Sequence, residues 1–248
     1  MSLFLKTYLN TVIEMLEQIR DEEAGPINDA AVLLADTIEN GNSIFAFGCS
    51  HSSLPVQDLV YRAGGLMLIN PIYGPGITAL DTRPPTLGSD IEKLPGFAKL
   101  LLDNYPIKAG DVLIVVSVSG RNAVPIEIAQ LAQERGIKVI GLTSRAYTQS
   151  VESRHASGKK MYDFADVVLD NKVDKGDAVL EDERVPQKFV PASGVTSTAL
   201  LQALVAATIE EVLERGITPP VYLAANVDGG AAYNQRLLEE NRERIFYY

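Results

Sequence analysis

Apolar residues first recur at helical spacing and then gather, farther along the chain, into short unbroken runs. Leu5, Tyr8, Leu9, Val12, Leu16 and Ile19 stand three and four apart, which predicts an amphipathic helix over residues 2–23. Pro26 ends or restarts it. A second helical pattern, Ile27 to Glu39, stops at Asn40-Gly41, residues that accept the left-handed backbone common at helix C-termini. Strands are predicted at 43–47, 66–70, 111–116, 138–142 and 165–169, with helices at 54–63 and 124–135 between them. The run Val112-Leu113-Ile114-Val115-Val116 has no polar alternation, which marks a strand covered on both faces of a parallel sheet. Short connections between alternating strands and helices predict a three-layer α/β/α sandwich around a doubly wound, five-stranded parallel sheet, with extra N-terminal helices.

Two other stretches break the alternation. Residues 71–95 are dense in Pro and Gly and are expected to hold little regular structure, as a long functional or mobile loop. Residues 170–191 are polar, and their carboxylates lack the spacing of a calcium loop, so a solvated loop is expected. A long helix over 195–215, a Pro219-Pro220 break, a short apolar run at 221–225 and a charged helix from about Ala231 close the chain.

Two strands end alike. Gly48-Cys49-Ser50-His51-Ser52-Ser53 and Ser117-Val118-Ser119-Gly120-Arg121-Asn122 each pass from strand to helix through small hydroxyl residues. Such a turn leaves backbone N–H groups free beside a helix N-terminus, which is a cradle for an anion such as phosphate. Both turns should open on one crevice at the carboxyl ends of the strands.

With 248 residues and 46% apolar content, the chain suits one large domain. Its formal charge of −10, with no basic stripe, argues against a nucleic-acid partner. Anion binding by local amides and hydroxyls is compatible with that charge. The single Cys49 rules out an internal disulfide and fits a reducing compartment. The first residues lack the order of a secretion signal, so a cytoplasmic location is expected. Residues 193–209 carry no charge, yet Ser193, Thr196, Ser197, Thr198, Gln202 and Thr208 interrupt them, which fits a buried or interfacial helix and no membrane span.

Candidate chemistry centres on a few side chains. His51 lies inside the first turn, either as a helix-start donor or facing the pocket. Asp58 and Arg62 would stack at i and i+4 on the following helix, as a pocket pair or a plain surface ion pair. His155, with Ser157, Gly158 and Lys159, lies on a loop at the same edge of the sheet, where Lys159 or Arg154 could meet a ligand or simply face water. Other chemistries fit less well. The first turn ends in Ser52 where a hydrolase nucleophile elbow needs Gly, and Pro55 stands where a Cys49 phosphatase loop needs Arg. No dinucleotide fingerprint or zinc spacing exists, so neither cofactor nor metal is expected.

The two turns, together with Val190-Pro191-Ala192-Ser193 at the opening of the last core helix, resemble the sugar isomerase (SIS) domain family of phosphosugar isomerases and phosphosugar-binding regulators. That resemblance covers residues 40–215. The flanks 61–66, 153–160 and 226–230 look like a branch of single-domain SIS proteins labelled phosphoheptose isomerases, which extends it over nearly the whole chain. It implies a flavodoxin-like fold and a single domain over 1–248, with a helical extension at 1–40, a core at 41–215 and a C-terminal extension at 216–248. It also implies that Ser117, Ser119, Gly120 and Asn122 hold a sugar phosphate, Asn122 donating from its amide where the family more often has a hydroxyl. Cys49, Ser50 and Ser52 would meet the sugar, joined by Arg62, Lys159 and Ser193. His51, Asp58 and His155 are the candidate catalytic groups, since the family's glutamate on the helix after strand one has no counterpart in residues 54–66. The expected activity is aldose–ketose isomerisation of a phosphorylated sugar or amino-sugar. The alternative is a non-catalytic sensor of such a ligand that regulates a partner protein. The apolar first helix and the resemblance both imply a homodimer or higher homo-oligomer, in which His155 or the 226–230 turn could serve a neighbour's pocket.

Overall fold

A computed structural model describes residues 3–78 and 82–248. Two helices come first, α1 (Leu3–Glu22) and α2 (Ala24–Glu39), as the periodicity predicts; Ser2, the expected start of the first, lies outside the described residues. Pro26 sits in the first turn of α2, where its missing N–H costs little, so the chain restarts almost at once. The strands β1 (Ile44–Gly48), β2 (Ile69–Ile72), β3 (Val112–Val116), β4 (Lys138–Thr143) and β5 (Val167–Asp170) form one parallel sheet in the order β2-β1-β3-β4-β5. Strands β2 and β5 begin two or three residues later than the apolar runs suggest.

Alternate residues of the strands serve two cores. Ile44, Ala46 and Ile114 pack with Leu34 and Ala35 of α2 and with Leu201 and Leu204 of α8 (Ser193–Glu214). Phe45, Phe47 and Val115 pack instead with Leu101 and Leu102 of α5 (Phe97–Leu102) and with Ile128 and Ala132 of α6 (Ala123–Glu134). Three layers result, α/β/α. Helix α8 is long and apolar enough to cross a membrane, but Leu200, Leu201, Leu204 and Thr208 are buried against the sheet and α2, so it serves as a core helix.

Three expectations fail. The helix after β1, α3 (Ser53–Leu59), stops before residue 63 because Val60 turns extended. The 71–95 stretch holds the end of β2 and a helix, α4 (Pro85–Ile91), with Pro85 at its first position; its residues 79–81 lie outside the described residues. The 170–191 stretch contains an antiparallel hairpin of β6 (Ala178–Leu180) and β7 (Phe189–Pro191), held to α1 by a Phe4–Phe189 edge-on ring contact and by the Tyr8 hydroxyl donating to the Pro191 carbonyl at 3.2 Å. A short helix, α7 (Arg145–Gln149), follows β4, and α9 (Gly230–Glu240) ends the run of helices. Past α9 the tail returns to the sheet, where Phe246 stacks on Phe45 at 5.6 Å.

Candidate functional site

In a sheet of this order the connections after β1 and β3 leave in opposite directions, which opens a crevice at their carboxyl ends. A cavity of about 490 Å³ lies there, within the size range of small-ligand sites. Cys49, Ser50, His51 and Ser52 line it from the β1–α3 turn, and Ser117, Val118, Ser119 and Asn122 from the β3–α6 turn. The two serine-rich turns therefore share one pocket.

Their backbones differ. After β3, the amides of Ser119, Gly120, Arg121, Asn122 and Ala123 find no acceptor among the described residues, so a row of N–H groups stays open at the N-terminus of α6. After β1, the amide of Ser50 donates to the Ile77 carbonyl at 2.6 Å, and those of Ser52, Ser53 and Leu54 donate to the carbonyls of Cys49, Ser50 and His51. That corrects the expectation of two amide cradles. The first turn presents side chains to the cavity, and only the second leaves a row of amides open.

The tightness of the first turn has a cause in Gly48. A Cβ at that position would stand 2.2 Å from the Ser52 carbonyl oxygen, so no other residue lets the chain fold back over the end of β1. Ser50 then takes a left-handed backbone with φ of 49° and bridges to Thr78, which draws the 74–78 segment against the site.

Glu92 is the group the sequence reading missed. It follows the last residue of α4, its backbone N–H donating to the Gly88 carbonyl and its own carbonyl accepting from Val124 N–H at the start of α6, each at 3.0 Å. These bonds fix a half-buried carboxylate in the cavity wall beside Asn122, whose Nδ2 donates to Glu92 Oε1 at 2.9 Å. Burial pushes the Glu92 carboxyl above the ordinary carboxylate range, against the opposing pull of the Asn122 hydrogen bond and of the Lys93 and Arg154 cations. Burial likewise pushes the Cys49 thiol up, with the nearby Glu92 charge adding to it, so Cys49 meets the cavity as a neutral thiol.

Across the cavity stand Gly176, Asp177, Pro191, Ser193, Gly194 and, from α7, Tyr147. Asp177, predicted to sit in a solvated loop, accepts from Ser193 N–H at 2.7 Å, from Ala192 N–H at 3.2 Å and from the Ser193 hydroxyl. It thereby caps α8 and engages the Ser193 side chain expected to meet a sugar. No Lys or Arg lines the cavity among the described residues.

The other expected site residues stand elsewhere. Asp58 pairs with Arg62 and accepts from Gln202 Nε2 at 2.9 Å, outside the cavity lining, and Arg62 lies beyond the end of α3. His155 places Nδ1 2.8 Å from the Ser157 hydroxyl and Nε2 3.4 Å from Glu127, again outside the lining. Lys159 stacks its ammonium over the Phe164 ring at 5.1 Å. Gly120, with φ of 59°, makes the bend of the β3–α6 turn and lies outside the cavity lining.

Comparison with known proteins bears on the family and the fold. The family model for the SIS domain matches residues 7–144. A UPF0309 protein of Streptomyces coelicolor is 50% identical over 240 residues, which span 97% of this chain and 96% of that relative. One from Shouchella clausii is 39% identical over 98% of this chain and 99% of its own. In fold, the chain is similar to a phosphoheptose isomerase from Neisseria gonorrhoeae, with a TM-score of 0.55, 23% identity, and coverage of 83% of this chain and 97% of that one. A phosphoheptose isomerase from Francisella tularensis gives a TM-score of 0.55 at 16% identity over 85% of this chain and all of its own. The chain therefore belongs to the SIS domain family, in the branch formed by the UPF0309 proteins.

Proposed function

We propose that this protein binds a phosphorylated sugar or amino-sugar in the cytoplasm and interconverts its aldose and ketose forms. The phosphate sits on the open amides of residues 119–123 with the Ser117 and Ser119 hydroxyls, and the sugar extends toward Ser50, His51 and Ser52. Isomerisation moves one proton between adjacent carbons. Glu92 takes it from one carbon and returns it to the next, and His51 exchanges protons with the ring oxygen and hydroxyl on opening. Hydroxyl donors in the wall steady the enediolate formed between the two steps. The observation that carries this reading is Glu92, a half-buried carboxylate in the wall of the same cavity as a turn with open backbone amides.

The test is solvent exchange. Pentose, hexose, heptose and N-acetylhexosamine phosphates are each incubated with the protein in D2O and followed by NMR. We expect one to gain deuterium at the carbon next to its carbonyl, and Glu92→Gln to slow that gain about 100-fold or more. Binding without exchange by the unaltered protein would reject the isomerase and leave the sensor reading. Ser119→Asp, which puts a negative charge in the cradle, should weaken phosphate-dependent binding in calorimetry at least tenfold, and undiminished binding would reject the placement. We further propose self-association through α1, where Leu5, Leu9 and Ile13 form an exposed stripe at four-residue spacing.

A further inference from the structure

Asn122 offers different atoms to two charged neighbours. Its Oδ1 accepts from Arg154 Nη1 at 3.1 Å, while its Nδ2 donates to Glu92 Oε1 at 2.9 Å. A guanidinium has donors and no acceptor, so reversing the amide would set N–H against N–H. Arg154 thus decides which way Asn122 faces. Arg154 is itself tied to the same turn, its backbone N–H donating to the Arg121 carbonyl at 2.8 Å.

The constraint passes on to Glu92. Because Oε1 faces an N–H donor, it must present a lone pair, and a proton on the carboxyl can sit only on Oε2. Oε2 makes no hydrogen bond to a described residue. On the reading of Glu92 as the proton-transfer group, we infer that Arg154 and Asn122 are positioning residues that lock the Glu92 carboxyl with Oε1 as acceptor and Oε2 as the exchanging oxygen.

This accounts for an amide at position 122. A Ser or Thr hydroxyl there could turn to donate or accept and would carry no instruction from Arg154 to Glu92. Asn122, though in the cavity wall, therefore has one of its two amide N–H groups committed to Glu92, while the open backbone N–H groups remain for an anion. The other titratable or charged groups acting on Glu92 are the Cys49 thiol from the β1–α3 turn and Lys93 beside it.

The test reads the carboxyl directly. The full chain is labelled with carboxyl-13C glutamate, and the Glu92 resonance is identified by its loss in Glu92→Gln and titrated from pH 4 to 9. Asn122→Ala and Arg154→Gln should each raise the midpoint by about half a pH unit or more, a threefold change in acidity, with the remaining glutamates unmoved. Arg154→Lys, which keeps a donor-only cation, should restore most of the shift. Arg154 is exposed, so its variants will fold even where Asn122→Ala does not. Unchanged midpoints in the variants that fold would overturn the positioning role. Full solvent exchange into sugar phosphate by Glu92→Gln would instead overturn the catalytic reading of Glu92, so the two failures are distinct.

Discussion

Gly48 closes β1 beneath the turn that doubles back over it, and a methyl group there would press 2.2 Å from the Ser52 carbonyl oxygen and 2.6 Å from its carbon. Backbone cannot yield cheaply, so Gly48→Ala should cost about 3 kcal/mol or more, measured as a lowered denaturation midpoint. Cys49, buried and held as a thiol, should react with a disulfide reagent at pH 8 at least tenfold more slowly in the folded chain than in the unfolded one. Glu92 makes a prediction with a sign. Its folded acidity is weaker than the unfolded value, so the stability it contributes is complete below the ordinary carboxyl range and is lost as pH rises through the folded midpoint. Glu92→Gln removes that loss. Denaturant midpoints of the two chains should therefore diverge in favour of the variant between pH 4 and pH 7. Neither Glu92 nor the neutral state of Cys49 was legible in sequence, because both depend on burial by residues distant along the chain.

Asp177 shows how one element stabilises another. Helix α8 begins at Ser193 with no side-chain cap of its own, and Asp177, at the threshold of the β6–β7 hairpin, supplies the carboxylate to its first amides. Charge and hydrogen bond both favour that arrangement at a helix N-terminus, so Asp177→Ala should destabilise the fold by about 1–2 kcal/mol, read by thermal melting. At this scale much was legible. The five strands follow from unbroken apolar runs, α1 and α2 from periodicity, and α8 from its long uncharged stretch. Segment α4 was obscured because Pro84-Pro85 reads as loop punctuation, although a Pro at the first helical position equally announces a helix. The hairpin strands are three residues each, too short for alternation to register. Missing α4 meant missing Glu92, which sits at its end.

Taken as a whole, the molecule is a two-sided sandwich whose strand order, β2-β1-β3-β4-β5, places the cavity between its first and third strands. The paired turns foretold that meeting place, while the first turn fails as an amide cradle because Ser50 donates to distant Ile77 and Ser52, Ser53 and Leu54 donate back to carbonyls of the turn itself, a tight folding that small hydroxyl residues alone do not announce. If α1 carries self-association, Leu9→Glu should convert the assembly to a monomer in sedimentation while leaving the helical circular dichroism intact, since Leu9 is exposed. One more consequence concerns ionic strength. The cavity wall lacks Lys and Arg among the described residues, and the chain bears a formal charge of −10, so on the proposed reading a phosphate dianion would approach a repelling body and be held only at contact, by amides and hydroxyls. Added potassium chloride shortens the reach of that repulsion to about 10 Å at 0.1 M while scarcely touching the contact itself. Association should quicken as salt rises, the reverse of a receptor whose pocket is ringed with cations.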